Sequence, residues 1–308
     1  MNNFKKIGLT ALAGSLVTLG ATAGEMSVSG SINTTLKFGD GGGNTGRSIG
    51  ADRDVTFSGG GELDNGTTFS VSTTTNDDLG LSASTTTITT PSFGSFTFGA
   101  GTGGHSGKYD EEVPQAYEQI SDANGSEMAN AVGNFLDQNF VGYTSPTLDL
   151  MGATVTAHVE YSPMASDETG AAGDGSQATY NATVGAAKSL GLTIGYEGLK
   201  LGFYGAERDR TVPQVAAATG NYQTDEFNGV WYAKYTMGPV SIGYSESYID
   251  AGVTSSISAT SSTTAKSVRS GGGIYTGDQM SIAFNVNDNM SISYTTSENT
   301  YDSQDDAK

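Results

Sequence analysis

Seven acidic residues lie in one stretch of this chain, residues 102–139, and six of them crowd its first part: Asp110, Glu111, Glu112, Glu118, Asp122 and Glu127. The same stretch holds His105, one of two histidines in the chain. Three kinds of chemistry use residues of these types. Asp110, Glu111 and Glu112 offer adjacent carboxylates, the hard oxygen ligands that Ca²⁺ prefers. Their spacing is not that of an EF-hand, so structural Ca²⁺ is the one cofactor considered, and no other metal site is expected. Acid–base or nucleophilic catalysis needs a partner that orients the reacting group. Cysteine is absent, His105 has no second histidine near it in sequence, and no Ser/His/Asp pattern is visible, so an enzyme is not expected. Gly99-Ala100-Gly101-Thr102-Gly103-Gly104 matches G-x-G-x-x-G in form. A dinucleotide site would need an apolar helix directly after it, and Ser106-Gly107-Lys108-Tyr109 follows instead. The third use is a fixed negative field set opposite basic residues, which biases the passage of ions.

The elements around this stretch must position it. Almost everywhere else the chain alternates with period two. Val28, Gly30, Ile32, Thr34, Leu36 and Phe38 share one phase, against Ser27, Ser29, Ser31, Asn33, Thr35 and Lys37. Ala153, Val155, Ala157, Val159 and Tyr161 alternate against Thr154, Thr156, His158 and Glu160. A Gly- and Asp-rich loop is expected over 39–52, and a polar tail from Glu298 to Lys308. Residues 102–139 do not alternate. Pro114–Ile120 and Ser126–Leu136 each suit a short helix, with Pro114 at a first helical position and Ser126 as an N-cap. A loop this long inside an all-β chain is uncommon and usually functional.

The N-terminus is a secretory signal. Lys5 and Lys6 precede an apolar run from Ile7 to Leu19, and Ala21-Thr22-Ala23 supplies an A-x-A site, so cleavage is expected after Ala23. Removing Lys5 and Lys6 from the 14 basic residues leaves 12 against 33 acidic, a net charge of −21 on residues 24–308. Nucleic acid is therefore excluded as a partner. The 15 Tyr and 12 Phe argue against a disordered chain despite 44 Gly. A strongly acidic, exported, cysteine-free chain suits the envelope of a Gram-negative bacterium.

The alternating runs amount to about 13 strands. Tight turns at 64–66, 91–94, 197–198, 237–239 and 287–289 take turns with long loops. That rhythm is the one a transmembrane antiparallel β-barrel shows, short turns at one end and long loops at the other. Such single-chain barrels carry an even strand number, so a sixteen-stranded barrel truncated at its C-terminus is expected. With the apolar stripes toward lipid, parity places Lys37, Lys200, Arg208, Arg210, Lys234 and Arg269 on the inward, polar face. Trp231, Tyr232, Tyr235, Phe96, Phe98, Tyr244 and Tyr248 are candidates for aromatic girdles at the membrane interfaces.

Three segments together resemble the general porins of the alphaproteobacterial, Rhodobacter-type lineage. They are Gly24-Glu25-Met26-Ser27-Val28-Ser29-Gly30, the hairpin Phe57-Ser58-Gly59-x-Gly61-x-Leu63-Asp64-Asn65-Gly66, and Phe93-Gly94-Ser95-Phe96-Thr97-Phe98-Gly99 leading into the acidic loop. The resemblance implies a sixteen-stranded homotrimeric outer-membrane barrel whose third loop, 102–139, narrows the pore. It implies passive diffusion of ions and small hydrophilic solutes. The alternatives are a substrate-selective porin of the same fold, for a sugar, phosphate or amino acid, and, behind it, a secreted β-rich adhesin. Family members end on an aromatic residue, usually Phe, and this sequence ends on Lys308. The loop acids are then expected to face wall bases across a constriction, with a mild preference for cations.

Overall fold

A computed structural model describes residues 26–39, 46–75, 80–100, 104–109, 112–114, 140–163, 184–210, 225–250 and 274–301. The expected signal peptide, Glu118, Asp122, Glu127, both expected loop helices beyond Pro114, Arg269 and the terminal residues after Tyr301 lie outside them.

One antiparallel sheet of 14 strands makes up nearly all of this. In chain order these are β1 (Met26–Gly39), β2 (Gly46–Glu62), β3 (Thr68–Thr75), β4 (Leu81–Thr90), β5 (Gly94–Ala100), β6 (Phe140–Thr144), β7 (Leu148–Leu150), β8 (Ala153–Ser162), β9 (Val184–Tyr196), β10 (Leu199–Arg210), β11 (Glu226–Met237), β12 (Val240–Asp250), β13 (Ile274–Asn287) and β14 (Met290–Tyr301). Each strand hydrogen-bonds to its sequence neighbours, except that β6 and β7 both pair with β8. The two are one strand interrupted at Ser145-Pro146-Thr147. Proline has no N–H for the ladder, and Ser145 fills the gap by accepting from the Ala157 N–H at 2.9 Å through its Oγ. Thirteen positions along the sheet result.

Two expectations about boundaries change. The loop expected over 39–52 is shorter, because β2 starts at Gly46 and pairs with β1 as far as Gly39↔Gly46. The expected polar tail does not begin at Glu298. Glu298–Tyr301 continue β14 against Tyr275–Asp278, since backbone pairing satisfies N–H and C=O groups whatever the side chain.

The short connections fall at one end of the sheet. Glu197 and Gly198 have φ of 42° and 87°, and Met151 and Gly152 have 59° and 92°. These are left-handed pairs of the kind that match the twist of a two-residue hairpin. The long connections, 101–139 among them, all leave from the opposite end.

The sheet is inside-out. Along β13, Gln279 is 1% exposed, Met280 61%, Ser281 3% and Ile282 49%. Leu190, Phe203, Phe227, Trp231, Tyr235 and Tyr294 are likewise exposed, while Glu160, Ser189, Asn228 and Ser245 are buried. A water-soluble sheet hides its large apolar side chains and shows its charged ones. This one does the reverse over strand after strand, which is the arrangement a lipid-facing barrel wall requires. Among the described residues no helix is long and apolar enough to cross a membrane.

Candidate functional site

The described parts of the third loop lie on the inner face of this wall. At the loop's root, Gly104 takes φ +62°, a conformation that favours glycine. The carboxylate of Glu160 sits so close that a Cβ here would meet its Oε1 at 2.6 Å. A single 3₁₀ turn, Ser106–Lys108, follows. It is closed by the Lys108 and Tyr109 N–H groups donating to His105 O at 3.0 Å and Ser106 O at 2.8 Å. The turn sends His105 and Tyr109 into the wall and leaves Gly107 and Lys108 exposed.

His105 and Tyr109 dock on β6, β8, β9 and β10. The His105 backbone N–H donates to Glu160, and the His105 ring lies over Gly142, 3.0 Å from where a Cβ would stand. Glu160 also accepts from Ser189 Oγ at 2.7 Å. Tyr109 Oη meets His158 Nδ1 at 2.5 Å. The Tyr109 ring stacks on Tyr204 at 5.2 Å and occupies the space that a side chain on Gly191 would need. The rings of His105 and His158 meet edge to face at 5.0 Å. Burial pushes the His105 imidazole down to about 3, with His158 and Lys108 adding to it, so His105 is neutral at physiological pH. Burial likewise pushes the Tyr109 phenol up to about 12.

A few residues on, Glu112 reaches a different part of the wall. Lys200 Nζ donates to its Oε1 at 3.0 Å and Lys234 Nζ to its Oε2 at 2.7 Å. The two lysines are opposite one another in the β10–β11 register, so one carboxylate fits between two ammoniums. Lys200 also sits 5.4 Å from the Tyr232 ring centroid. Val113 is buried, Pro114 packs in the space left by Gly243, and Ser281 donates its hydroxyl to Pro114 O. From Gly104 to Pro114 the described chain thus crosses from β6 and β8 to β12 and β13. It stays on the polar face throughout.

Of the acids in the loop, Glu112 alone is described, and it meets Lys200 and Lys234. Asp110 and Glu111, the other candidate Ca²⁺ ligands, lie outside the described residues. Arg208 faces inward but meets another group: it is buried against Glu226 of β11, with Nε donating at 2.6 Å. Lys37 and Arg210 lie in β1 and β10, and their side chains are not described; a register shift between Arg208 and Arg210 interrupts the parity there. Tyr232 is corrected from the girdle to the inner face, where it is fully buried. Its neighbours Trp231 and Tyr235 are exposed on the outer face, and strand alternation cannot place all three together.

The grouping that sequence reasoning missed is His105, His158 and Glu160. They are distant in sequence, and only the docking of the loop on β8 joins them. The signal available was parity, which places His158 and Glu160 on one face of β8. Among the described residues, one set of three potential metal ligands converges, Glu207, Asp209 and Asp225. It lies at the loop end of the β10–β11 hairpin, and Glu207 is paired there with Lys188 at 3.1 Å.

No family model and no curated protein matches the sequence. Solved structures do. A structure described as porin matches with a TM-score of 0.58 at 13% identity, over 92% of this chain and 86% of that one. The anion-selective porin from Comamonas acidovorans matches with a TM-score of 0.57 at 15% identity, over 90% of this chain and 80% of that one. At these identities the likeness is one of fold. The inside-out antiparallel sheet, with short turns at one end and long loops at the other, has the fold of the porin β-barrels.

Proposed function

We propose that this chain is an outer-membrane porin of a Gram-negative bacterium, a water-filled channel for passive diffusion of ions and small hydrophilic solutes. The observation that carries the proposal is that the described loop residues, 104–109 and 112–114, lie on the polar inner face, with Glu112 held between Lys200 and Lys234. Charged groups on opposite sides of a narrow aqueous passage orient water and set ion preference. Five further acids of the loop, Asp110, Glu111, Glu118, Asp122 and Glu127, belong to the same constriction in this reading, with Lys37, Arg210 and Arg269 as further wall charges. Arg208, neutralised by Glu226, contributes little field. The acidic balance of the chain favours cations mildly. The same reading takes lipid as the partner of the outer face and a homotrimer as the assembly, in keeping with the Rhodobacter-type porins that the sequence resembles.

Liposome swelling tests the proposal. Vesicles carrying the refolded chain should swell in small sugars at a rate that falls steeply with solute size. Vesicles that swell no faster than protein-free ones would refute it.

A further inference from the structure

The root of the loop contains more ionisable chemistry than a static anchor needs. His105 and His158 are both buried, their rings 5.0 Å apart. His158 Nδ1 is the partner of the Tyr109 hydroxyl, and the simplest assignment has the phenol donating to an unprotonated nitrogen. Among the described residues Glu160 is the one carboxylate in contact, with an oxygen 3.6 Å from His105 Nδ1.

We propose that His105, His158 and Glu160 form an acid-operated latch that holds the root of the loop on β8 at neutral pH and releases it in acid. The latch stands on the docked geometry alone; its effect on conduction rests on the channel reading above. Protonating His158 at Nδ1 reverses its hydrogen bond with the Tyr109 hydroxyl and places a positive charge in a buried site. Protonating His105 as well puts two imidazolium ions side by side, with the Lys108 ammonium on the same turn. Glu160 can balance one of these charges and not all three. Among the described residues, the other groups facing the cluster do not restore the balance. Tyr109, Tyr204 of β10 and Tyr232 of β11 are phenols, neutral in acid. β6 and β9 present Thr144, Ser189 and Thr193, which do not titrate. Glu112 is engaged with Lys200 and Lys234.

The sign follows from the loop histidine, His105, which burial holds neutral while docked. An imidazole with an ordinary pKa of about 6.5 when released takes up a proton below that pH, whereas the docked ring resists. The contribution of His105 to docking is therefore complete above about pH 6.5. For each histidine that charges only on release, docking weakens about tenfold per pH unit below that.

The chain has no cysteine, and a Cβ on Gly107 would meet nothing within 4 Å. A Gly107→Cys variant carrying a nitroxide spin label, refolded into phospholipid vesicles, therefore reports the root directly. The label should be immobilised at pH 7.5 and gain a mobile fraction at pH 4.5. His158→Gln, which keeps a polar acceptor and cannot charge, should suppress the mobile fraction at pH 4.5 by at least about tenfold. A label whose mobility is unchanged between the two pH values overturns the latch, as does a release that His158→Gln leaves intact. Conductance of the same variants separates this from the channel reading. A conducting protein with a fixed label keeps the channel and loses the latch. A label released in acid on a protein that never conducts keeps the latch and loses the channel.

Discussion

Two of the contacts between the described loop residues and the wall obey different physics. At the root, Glu160 and His105 are almost fully buried and the contacts are hydrogen bonds and stacked rings. At Glu112 the contact is electrostatic and half-open: the side chains of Lys200, Lys234 and Glu112 are 38%, 27% and 17% exposed. Buried hydrogen-bonded groups hold position because losing a partner strands the other in a dry place. Part-exposed ion pairs contribute little to stability and are screened by salt. The root therefore fixes Gly104–Tyr109 on the wall, and in the proposed channel the Glu112 site sets the field along the passage.

Substitutions at the root should have the largest effects and be insensitive to salt. Gly191→Val drives a side chain into the Tyr109 ring and should weaken docking by about 1–3 kcal/mol, the range for overpacking. Hydrogen exchange of the Gly104–Tyr109 amides would show it as loss of protection. Glu160→Ala strands the His105 N–H and the Ser189 hydroxyl and should weaken docking by about 1–3 kcal/mol. Glu160→Gln retains an acceptor and should do less. Equal loss of amide protection in the two variants would show that Glu160 acts by charge rather than by hydrogen bonding, and would erase the contrast between root and Glu112.

Substitutions at the Glu112 site should leave docking nearly unchanged and move selectivity. Glu112→Gln exposes two ammoniums and should shift the reversal potential toward anions at 0.1 M salt. At 1 M the shift should largely vanish, as the Debye length falls from about 10 Å to about 3 Å. Smallest of all, Lys234→Met should shift selectivity toward cations somewhat more than Lys200→Met, since Lys234 is the closer and less exposed partner of Glu112. The reverse order would place the Lys200 ammonium nearer the ion path.

The wall was far more legible in the sequence than the site. Period-two alternation carries the strands because each residue reports its own face, and Met280 and Ile282 against Gln279 and Ser281 need no other information. Glycine-containing turns such as Glu197-Gly198 carry the registers. Parity also put Lys200 and Lys234 inward. It could not say that they stand opposite one another, which depends on hairpin registry across the 211–225 connection. It misjudged Tyr232, whose aromatic ring suggested a girdle although its phase is that of Lys234 and Val230. Most of all it could not join His105 to His158 and Glu160, because no local rule relates a loop residue to a strand reached much later in the chain. Arg208 shows the converse limit: inward placement was legible, its partner Glu226 was not.

Reversal potentials in planar bilayers test the central claim most directly, comparing the unsubstituted chain with Glu112→Gln across a gradient centred on 0.1 M salt. The account predicts discrete conductance steps, a mild cation preference in the unsubstituted chain, and a clear shift toward anions in the variant. Identical reversal potentials for the two proteins would contradict it, because Glu112 would then lie away from the path that ions take.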